Sequence, residues 1–132
     1  MKSVADLKQS QILAGFLSVD SADFGYNVFV DDSIRTLPIN DWDLTKDGVN
    51  GVKTYPAWSC AVLMDLIPQT ATDDNGVDYE FFFDKEDDCH YSMGYRNTET
   101  GELDDRFDIS YADELVDACV EMLIKLHENN ML

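Results

Sequence analysis

Alternating apolar and polar residues predict an antiparallel meander in the second half of the chain. Residues 77–84 alternate apolar and charged side chains with the exception of Phe82, and residues 89–95 repeat the alternation. Residues 106–109 predict a shorter third strand, with Phe107 and Ile109 directed inward. The connecting turns at 85–88 and 97–104 are polar. A period of two of this kind indicates a sheet with one buried face and one solvated face.

The most apolar segment of the chain predicts a helix at the centre of the core. This segment, residues 56–67, begins with Pro56, which suits the first turn of a helix. Pro68 follows it and ends the helix. Because this segment is apolar nearly all round, we expect the helix to be buried. Trp58, Leu63 and Met64 are expected to pack inward.

Two further helices are predicted near the ends of the chain. One covers residues 3–13 and begins with Ser3 and Asp6 in the positions of a capping box. The other is amphipathic and follows Ser110. The predicted fold class is therefore α+β: an antiparallel meander of about three strands, packed on one face by two or three helices. At this length we expect a single domain over residues 1–132.

The region between the first two helices carries weaker patterns. Residues 24–37 predict two short strands around a turn at 31–33. Residues 38–54 have the composition of a long loop, which is where function or mobility concentrates in a compact domain. Trp42 lies in this loop between acidic residues. We favour the hypothesis that the Trp42 side chain packs locally over the core. The alternative is that it is exposed and anchors a partner protein.

The charge of the chain narrows the classes of partner. Twenty-seven Asp and Glu against nine Lys and Arg leave a formal net charge of −18, and eighteen of the acids lie in residues 67–132. Such a field repels phosphate backbones and anionic lipids, so we expect neither nucleic acid nor a membrane as a partner. A basic protein is the partner that this charge attracts. With three widely spaced cysteines and no apolar leader or membrane-spanning run, we expect a cytoplasmic protein.

No pattern in the chain commits to a reaction, a cofactor or a metal. The sharpest cluster comprises Asp84 and the acids at 86–88, followed by Cys89 and His90. In a regular strand the last two side chains point to opposite faces, so a solvated hairpin turn is favoured over a metal site. Residues 73–78 are interpreted as a turn and not a calcium loop, because alignment of Gly76 with the invariant glycine puts Ala71 and Phe82 where the first and last carboxylates are required. We therefore assign no catalytic, cofactor or metal residue.

Three stretches of the chain carry a resemblance when they are taken together. They are Gln9-Ser10, Leu13, Gly15 and Ala22-Asp23-Phe24; Pro56-Ala57-Trp58-Ser59, Leu63 and Leu66-Ile67-Pro68; and residues 117–128. In this order they resemble a group of short, acidic, uncharacterised proteins of Bacteroidales genomes, often encoded near prophage or mobile elements. The resemblance spans most of the chain, but its motifs are packing motifs. It implies a genomic setting and transfers no catalytic residue.

Three functional hypotheses follow. The first is a non-enzymatic accessory or interaction protein that binds a basic partner. The second is a DNA mimic that inhibits a host DNA-binding or defence protein, and the third is an enzyme, with or without a metal. The predicted interaction face combines acids from the solvated face and the turns of the meander. These acids are Asp78, Glu80, Asp87, Asp88 and Asp108.

Overall fold

The computed structural model of the chain describes residues 2–38, 52–85 and 90–132. In chain order the elements are α1 (Leu7–Leu13), β1 (Phe24–Val28), β2 (Ile34–Pro38), β3 (Lys53–Ala57), α2 (Cys60–Leu66), β4 (Thr70–Thr72), β5 (Asp78–Lys85), β6 (Tyr91–Asn97), β7 (Ile109–Ala112) and α3 (Leu115–Glu128). Short 3-10 turns occupy Val19–Ser21 and Asp105–Phe107. Helices and antiparallel sheets occur together, which confirms the predicted α+β class.

The chain divides into two compact units. The first unit is Ser3–Val62, and the second is Leu63–Leu132 together with the first two residues. Each unit has its own antiparallel sheet, of three strands in the order β2-β1-β3 and of four strands in the order β4-β5-β6-β7. The prediction of a single domain over residues 1–132 stays a prediction.

The first unit contains the hairpin that the weak alternation of residues 24–37 predicts. β1 and β2 pair in a register that places Val28 opposite Ile34. The Asp31 carboxylate accepts hydrogen bonds from the Ser33 amide at 3.0 Å and the Ser33 hydroxyl at 2.6 Å. Those bonds hold the pKa of the Asp31 carboxyl below its usual value. Asp32 takes the left-handed conformation at φ 65°, which Asp tolerates better than most residues. The predicted turn at 31–33 is confirmed.

The start of α1 differs from the prediction. Asp6, rather than Ser3, is the N-cap: its carboxylate accepts from the Gln9 amide, and the Gln9 side chain accepts from the Asp6 amide. This reciprocal pair is a full capping box, whereas the residues before it are extended. Val4 forms an isolated antiparallel bridge with Ser59. The N-terminal segment is therefore committed to strand-like pairing before the helix begins.

The predicted helix over residues 56–67 is wrong in its first half. Residues 53–57 form β3, which pairs with β1 and places Pro56 opposite Gly25. The residue before a proline disfavours helical geometry, and an edge strand such as β3 accepts a proline. The helix begins at Cys60, and the Ser59 hydroxyl accepts a hydrogen bond from the Val62 amide at 3.3 Å.

For this segment, the predicted burial of side chains agrees with the structure more closely than the predicted secondary structure does. Trp58 is fully buried in the first unit and donates its indole N–H to the Ser21 hydroxyl at 2.9 Å. Leu63 is also fully buried, while Met64 is only half-buried. Of the seven residues in α2, Leu63 alone is fully enclosed, so the helix is not the all-round core element that its composition predicts.

The second unit contains the predicted meander with one additional strand. β5 and β6 lie where the alternation places them, and β4, which was not predicted, extends the sheet along β5. The third predicted strand is displaced: residues 105–107 form a 3-10 turn, and β7 begins at Ile109. Ser110 therefore lies in β7 rather than at a helix start, and α3 begins at Leu115.

The core of the second unit lies between one face of the sheet and α3, which contacts β6 and β7. Alternate residues of β5 and β6 supply the sheet side, among them Phe81, Tyr91, Met93 and Tyr95. The helix contributes its apolar stripe at helical spacing. The buried residues of that stripe are Val116, Cys119, Val120, Met122, Leu123 and Leu126.

Candidate functional site

One face of the second unit's sheet presents a row of carboxylates. Asp78, Glu80 and Asp84 occupy alternate positions of β5, on the face opposite the core, and all three are exposed. We call these three residues the acidic outer face. Beside them on β4, Thr72 donates its hydroxyl to Asp78 Oδ1 at 2.6 Å. The alternation of β5 therefore aims three negative charges along one line into solvent.

An aromatic residue and an arginine interrupt this row. Phe82 lies between Glu80 and Asp84 on the same face, opposite Gly94 of β6. A Cβ at Gly94 would lie 2.9 Å from the Phe82 ring, so the glycine leaves the space that the ring covers. The Arg96 guanidinium lies 5.5 Å from the centre of the same ring, a cation–π distance. The surface thus combines carboxylates with an apolar patch and one cation.

The structure places the predicted interaction residues as follows. Asp78 and Glu80 are brought together on the outer face with Asp84, which the alternation also predicts there but which was not among the predicted interaction residues. Asp108 precedes β7, on the far side of β6, and its carbonyl accepts from Lys125 Nζ at 3.3 Å. The remaining predicted residues, Asp87, Asp88 and Trp42, lie outside the described residues, as does most of the 38–54 loop.

A polar pocket of about 500 Å³ lies where the β4–β5 turn meets the β6–β7 connection. Its residues include a group that sequence reasoning did not bring together: Asp73, Tyr79, Asp104 and Arg106. We call this group the Arg106 cluster. Each member comes from a different part of the second unit except Asp104 and Arg106, which flank the start of the 3-10 turn. The cluster therefore links three segments of one sheet end.

The guanidinium of Arg106 is the centre of this cluster. Its Nε and Nη2 atoms contact the Asp104 carboxylate at 3.0 and 2.6 Å, and Nη2 lies 3.7 Å from Asp73 Oδ2. Tyr79 donates its hydroxyl to the same Asp73 oxygen at 3.1 Å. The guanidinium also lies 5.1 Å from the centre of the Phe107 ring. One cation is thus shared by two carboxylates and placed over an aromatic ring.

The pKa values of the cluster follow from these contacts. The Arg106 hydrogen bonds lower the pKa of the Asp104 carboxyl, and the same bonds raise the pKa of the guanidinium. The Val77 amide, which donates to Asp73 at 3.0 Å, is the main cause that lowers the pKa of Asp73. Burial, together with the bond to Asp73, raises the pKa of Tyr79. The shifts favour the charged form of both carboxyls and of the guanidinium, and the neutral form of the phenol.

The chemistry of the Arg106 cluster is that of a structural clamp. Its carboxylates bind the guanidinium and backbone amides, so the groups satisfy one another. The sequence indicates one part of the cluster, because residues 73–76 have the composition of a turn. In the structure Gly76 adopts φ 78° in that turn. Nothing in the local pattern links that turn to Arg106, which lies thirty-three positions later in the chain. The carboxylates of the acidic outer face, by contrast, are exposed to solvent.

Replacing Asp104 by Asn should destabilise the protein at neutral pH and much less in acid. We expect a loss of about 1–2 kcal/mol at pH 7, the range for hydrogen bonds to a charged partner after allowance for the half-exposed guanidinium. The pKa of Asp104 is depressed below its ordinary 3.8 in the folded state. Its stabilisation is therefore present above that pH and is lost as pH falls through the folded pKa.

Denaturant unfolding at a series of pH values measures this effect. The matched control is Asp105→Asn, which removes a neighbouring exposed carboxylate outside the cluster. We expect the control to follow wild type within about 0.5 kcal/mol, as at other surface positions. A constant difference between wild type and Asp104→Asn from neutral to acid pH would contradict a charged clamp.

Neither a cluster that could hold a metal ion nor a helix that could span a membrane occurs among the described residues. Within residues 2–38, 52–85 and 90–132, no group of three or more His, Cys, Asp or Glu side chains is arranged to hold a metal ion. No helix in those same ranges combines the length and apolarity that crossing a membrane requires.

No family model, no curated protein and no solved structure matches the chain.

Proposed function

We propose that this protein is a non-enzymatic interaction module that binds a basic protein through its acidic outer face. The observation that carries the proposal is the line of three exposed carboxylates on alternate residues of β5. By contrast, the two carboxylates of the Arg106 cluster are engaged within the fold. The outer-face carboxylates are exposed and lie on one strand, so a partner can contact them together.

The net charge of the chain supports a partner of opposite sign. A charge of −18 attracts basic proteins over distances that salt limits to about 8–10 Å. Charge complementarity chiefly accelerates encounter and excludes wrong partners, while apolar contacts hold the complex. Phe82 lies within the row of carboxylates, so the face offers both contributions.

The composition of the face favours an ordinary protein partner over the DNA-mimic alternative. A mimic of DNA needs carboxylates in an unbroken array, in the manner of phosphates. Here Phe82 and Arg96 interrupt the row. Arg96 also lies directly opposite Glu80 on β6, which reduces the local negative charge. The interaction role is therefore the proposal that we place first, ahead of the mimic and of an enzyme.

The location of the protein belongs to the same proposal. Cys60 and the buried Cys119 are not joined in a disulfide. A reducing compartment keeps cysteines in the thiol form, so we place the interaction in the cytoplasm. The resemblance to acidic proteins encoded near mobile elements adds a host protein as a candidate partner.

A charge-reversal experiment tests the proposal. Asp78, Glu80 and Asp84 are changed together to Lys, and the immobilised protein is compared with wild type in capture of basic proteins from a bacterial lysate at low salt. The matched control reverses Asp20, Asp65 and Glu128, which are exposed and belong to the Val19–Ser21 turn, α2 and α3. Both sets change the formal net charge from −18 to −12.

We expect the outer-face set to lose the captured basic proteins and the control set to keep them. Equal loss in both sets would mean that total charge, and not the outer face, attracts the partners. Duplex DNA added to the wild-type complexes distinguishes the mimic, because proteins bound through their DNA sites would be displaced. Circular dichroism verifies that both variants remain folded.

A further inference from the structure

Within the described residues, the sheet of the second unit has an open edge along the second half of β5. β4 has three residues and pairs only with the start of β5, from Asp78 to Glu80. One further bond, from the Phe81 amide to the Gln69 carbonyl at 2.9 Å, follows that pairing. Beyond it, no described strand pairs with this side of β5, although β5 continues to Lys85.

The direction of the backbone groups at this edge follows from the ladder. In an antiparallel sheet, successive residues of a strand direct their N–H and C=O groups to opposite neighbours. The Phe81 amide points to the β4 side, so those of Phe83 and Lys85 point to that side as well. Phe82 and Asp84 are directed to β6 instead. The open edge therefore presents the donors and acceptors of Phe83 and Lys85.

The side chains beside this edge differ between the two faces. On the core side, Phe83 is 41% exposed and stacks on Tyr91, with ring centres 6.0 Å apart. On the outer face, Asp84 is exposed. A strand added at this edge would thus meet the apolar Phe83 and the exposed Lys85 on one face and a carboxylate on the other.

We propose that the open edge of β5 takes up an extended basic segment of the partner protein as an additional antiparallel strand. This inference rests on the proposed interaction function and specifies how that partner is recognised. Strand addition uses backbone hydrogen bonds for affinity and alternate side chains for specificity. The segment should carry Lys or Arg beside Asp84 and an apolar residue beside Phe83, since directly opposed residues lie about 4.5–5.5 Å apart.

A second copy of this chain is a poorer occupant of the edge. Two copies paired here would bring their Asp84 side chains together, and like charges opposed across strands are destabilising. Each copy also carries a net charge of −18. The carboxylate of Asp84 at the open edge and the net charge of the chain therefore oppose self-association and favour a basic strand.

A synthetic peptide of alternating Lys and Val tests the proposal, with binding measured by fluorescence anisotropy of a label at its end. In the proposed pairing the Val residues lie opposite Phe83 and Lys85 and direct their N–H groups to β5. Methylation of the Val nitrogens should weaken binding by at least about fivefold, the effect of losing one or two hydrogen bonds. Methylation of the Lys nitrogens, which point away from β5, should have little effect.

A pair of protein variants probes the same bonds from the other side. Phe83→Pro removes the free amide of the edge, and an edge position with its N–H unpaired accepts proline. Phe83→Ala removes the ring and keeps the amide. We expect Phe83→Pro to bind the peptide roughly 2- to 12-fold more weakly than Phe83→Ala, the equivalent of one hydrogen bond. If the proline variant does not fold, the comparison of methylated peptides decides.

The outcomes separate this inference from the proposed function. If both methylated peptides bind equally, and reversal of the acidic outer face abolishes binding, the edge is not used and the face still is. If wild type does not bind the unmodified peptide at low salt, both proposals are overturned. Selective loss with methylated Val is the result that supports strand addition.

Discussion

Replacing Phe107 by Ala should lower the free energy of unfolding by about 3–5 kcal/mol, the range for removal of a buried aromatic ring. Phe107 is fully buried in the second unit. Its ring meets Tyr95 edge-on at 5.5 Å and lies beneath the Arg106 guanidinium. The substitution therefore opens a cavity and also removes the support of the Arg106 cluster. Urea unfolding followed by circular dichroism gives the measurement.

The matched control for Phe107 is Phe83→Ala. Phe83 is 41% exposed, so its ring keeps much of its contact with water in the folded protein. Its removal should therefore lower the free energy of unfolding by less than half as much as removal of Phe107. Equal costs at the two positions would mean that the 3-10 turn at Asp105–Phe107 does not enclose its aromatic residue. That result would contradict the described core of the second unit.

Replacing Leu63 by Ala should cost about 2–5 kcal/mol. Leu63 is fully buried, whereas the other residues of α2 are half-buried or exposed. The helix thus contributes to the core mainly through this one side chain. Leu103→Ala makes the same chemical change at a position that is 58% exposed, and we expect it to stay within about 0.5 kcal/mol of wild type.

The losses in unfolding free energy for Leu63→Ala and Leu103→Ala, taken together, show whether α2 packs into the core. A small loss at Leu63, close to that at Leu103, would place α2 on the surface. A large loss at the half-buried Met64 as well would restore the all-round buried helix that its composition predicts.

The sequence predicted burial better than it predicted secondary structure. Phe107 was expected to point inward, and it does, but from a 3-10 turn instead of a strand. Apolar side chains leave water whichever local backbone carries them. The backbone here depends on Asp104, whose carboxylate accepts from the Arg106 amide at 3.0 Å and starts the turn. The alternation of apolar residues carries no information on that capping bond.

The misplacement of β3 has a similar cause. Residues 56–67 are nearly all apolar, and such a run does not distinguish a buried helix from a strand followed by a helix. The deciding contact is the pairing with β1, which aligns Tyr55 with Tyr26 from a distant part of the chain. Long-range pairing of this kind overrides local propensity. The three-residue β4 was missed because it is too short to show an alternation.

The candidate site divides along the same line. Asp78 and Glu80 were predicted to share a solvated face because alternation alone determines which residues of a strand point together. Asp84 follows from the same rule, two repeats further along β5 and beyond Phe82. The Arg106 cluster could not be predicted, since it depends on the β4–β5 turn and the β6–β7 connection meeting at one end of the sheet.

Chemical-shift mapping with a lysine oligomer tests the acidic outer face as a binding surface most directly. Isotope-labelled protein is titrated with the oligomer at low salt while the backbone amide signals are recorded. We predict that the largest shifts fall on β5, from Asp78 to Lys85, and disappear when Asp78, Glu80 and Asp84 are changed to Lys. The largest shifts on α3 or on the first unit, or shifts that persist in that variant, would contradict the account.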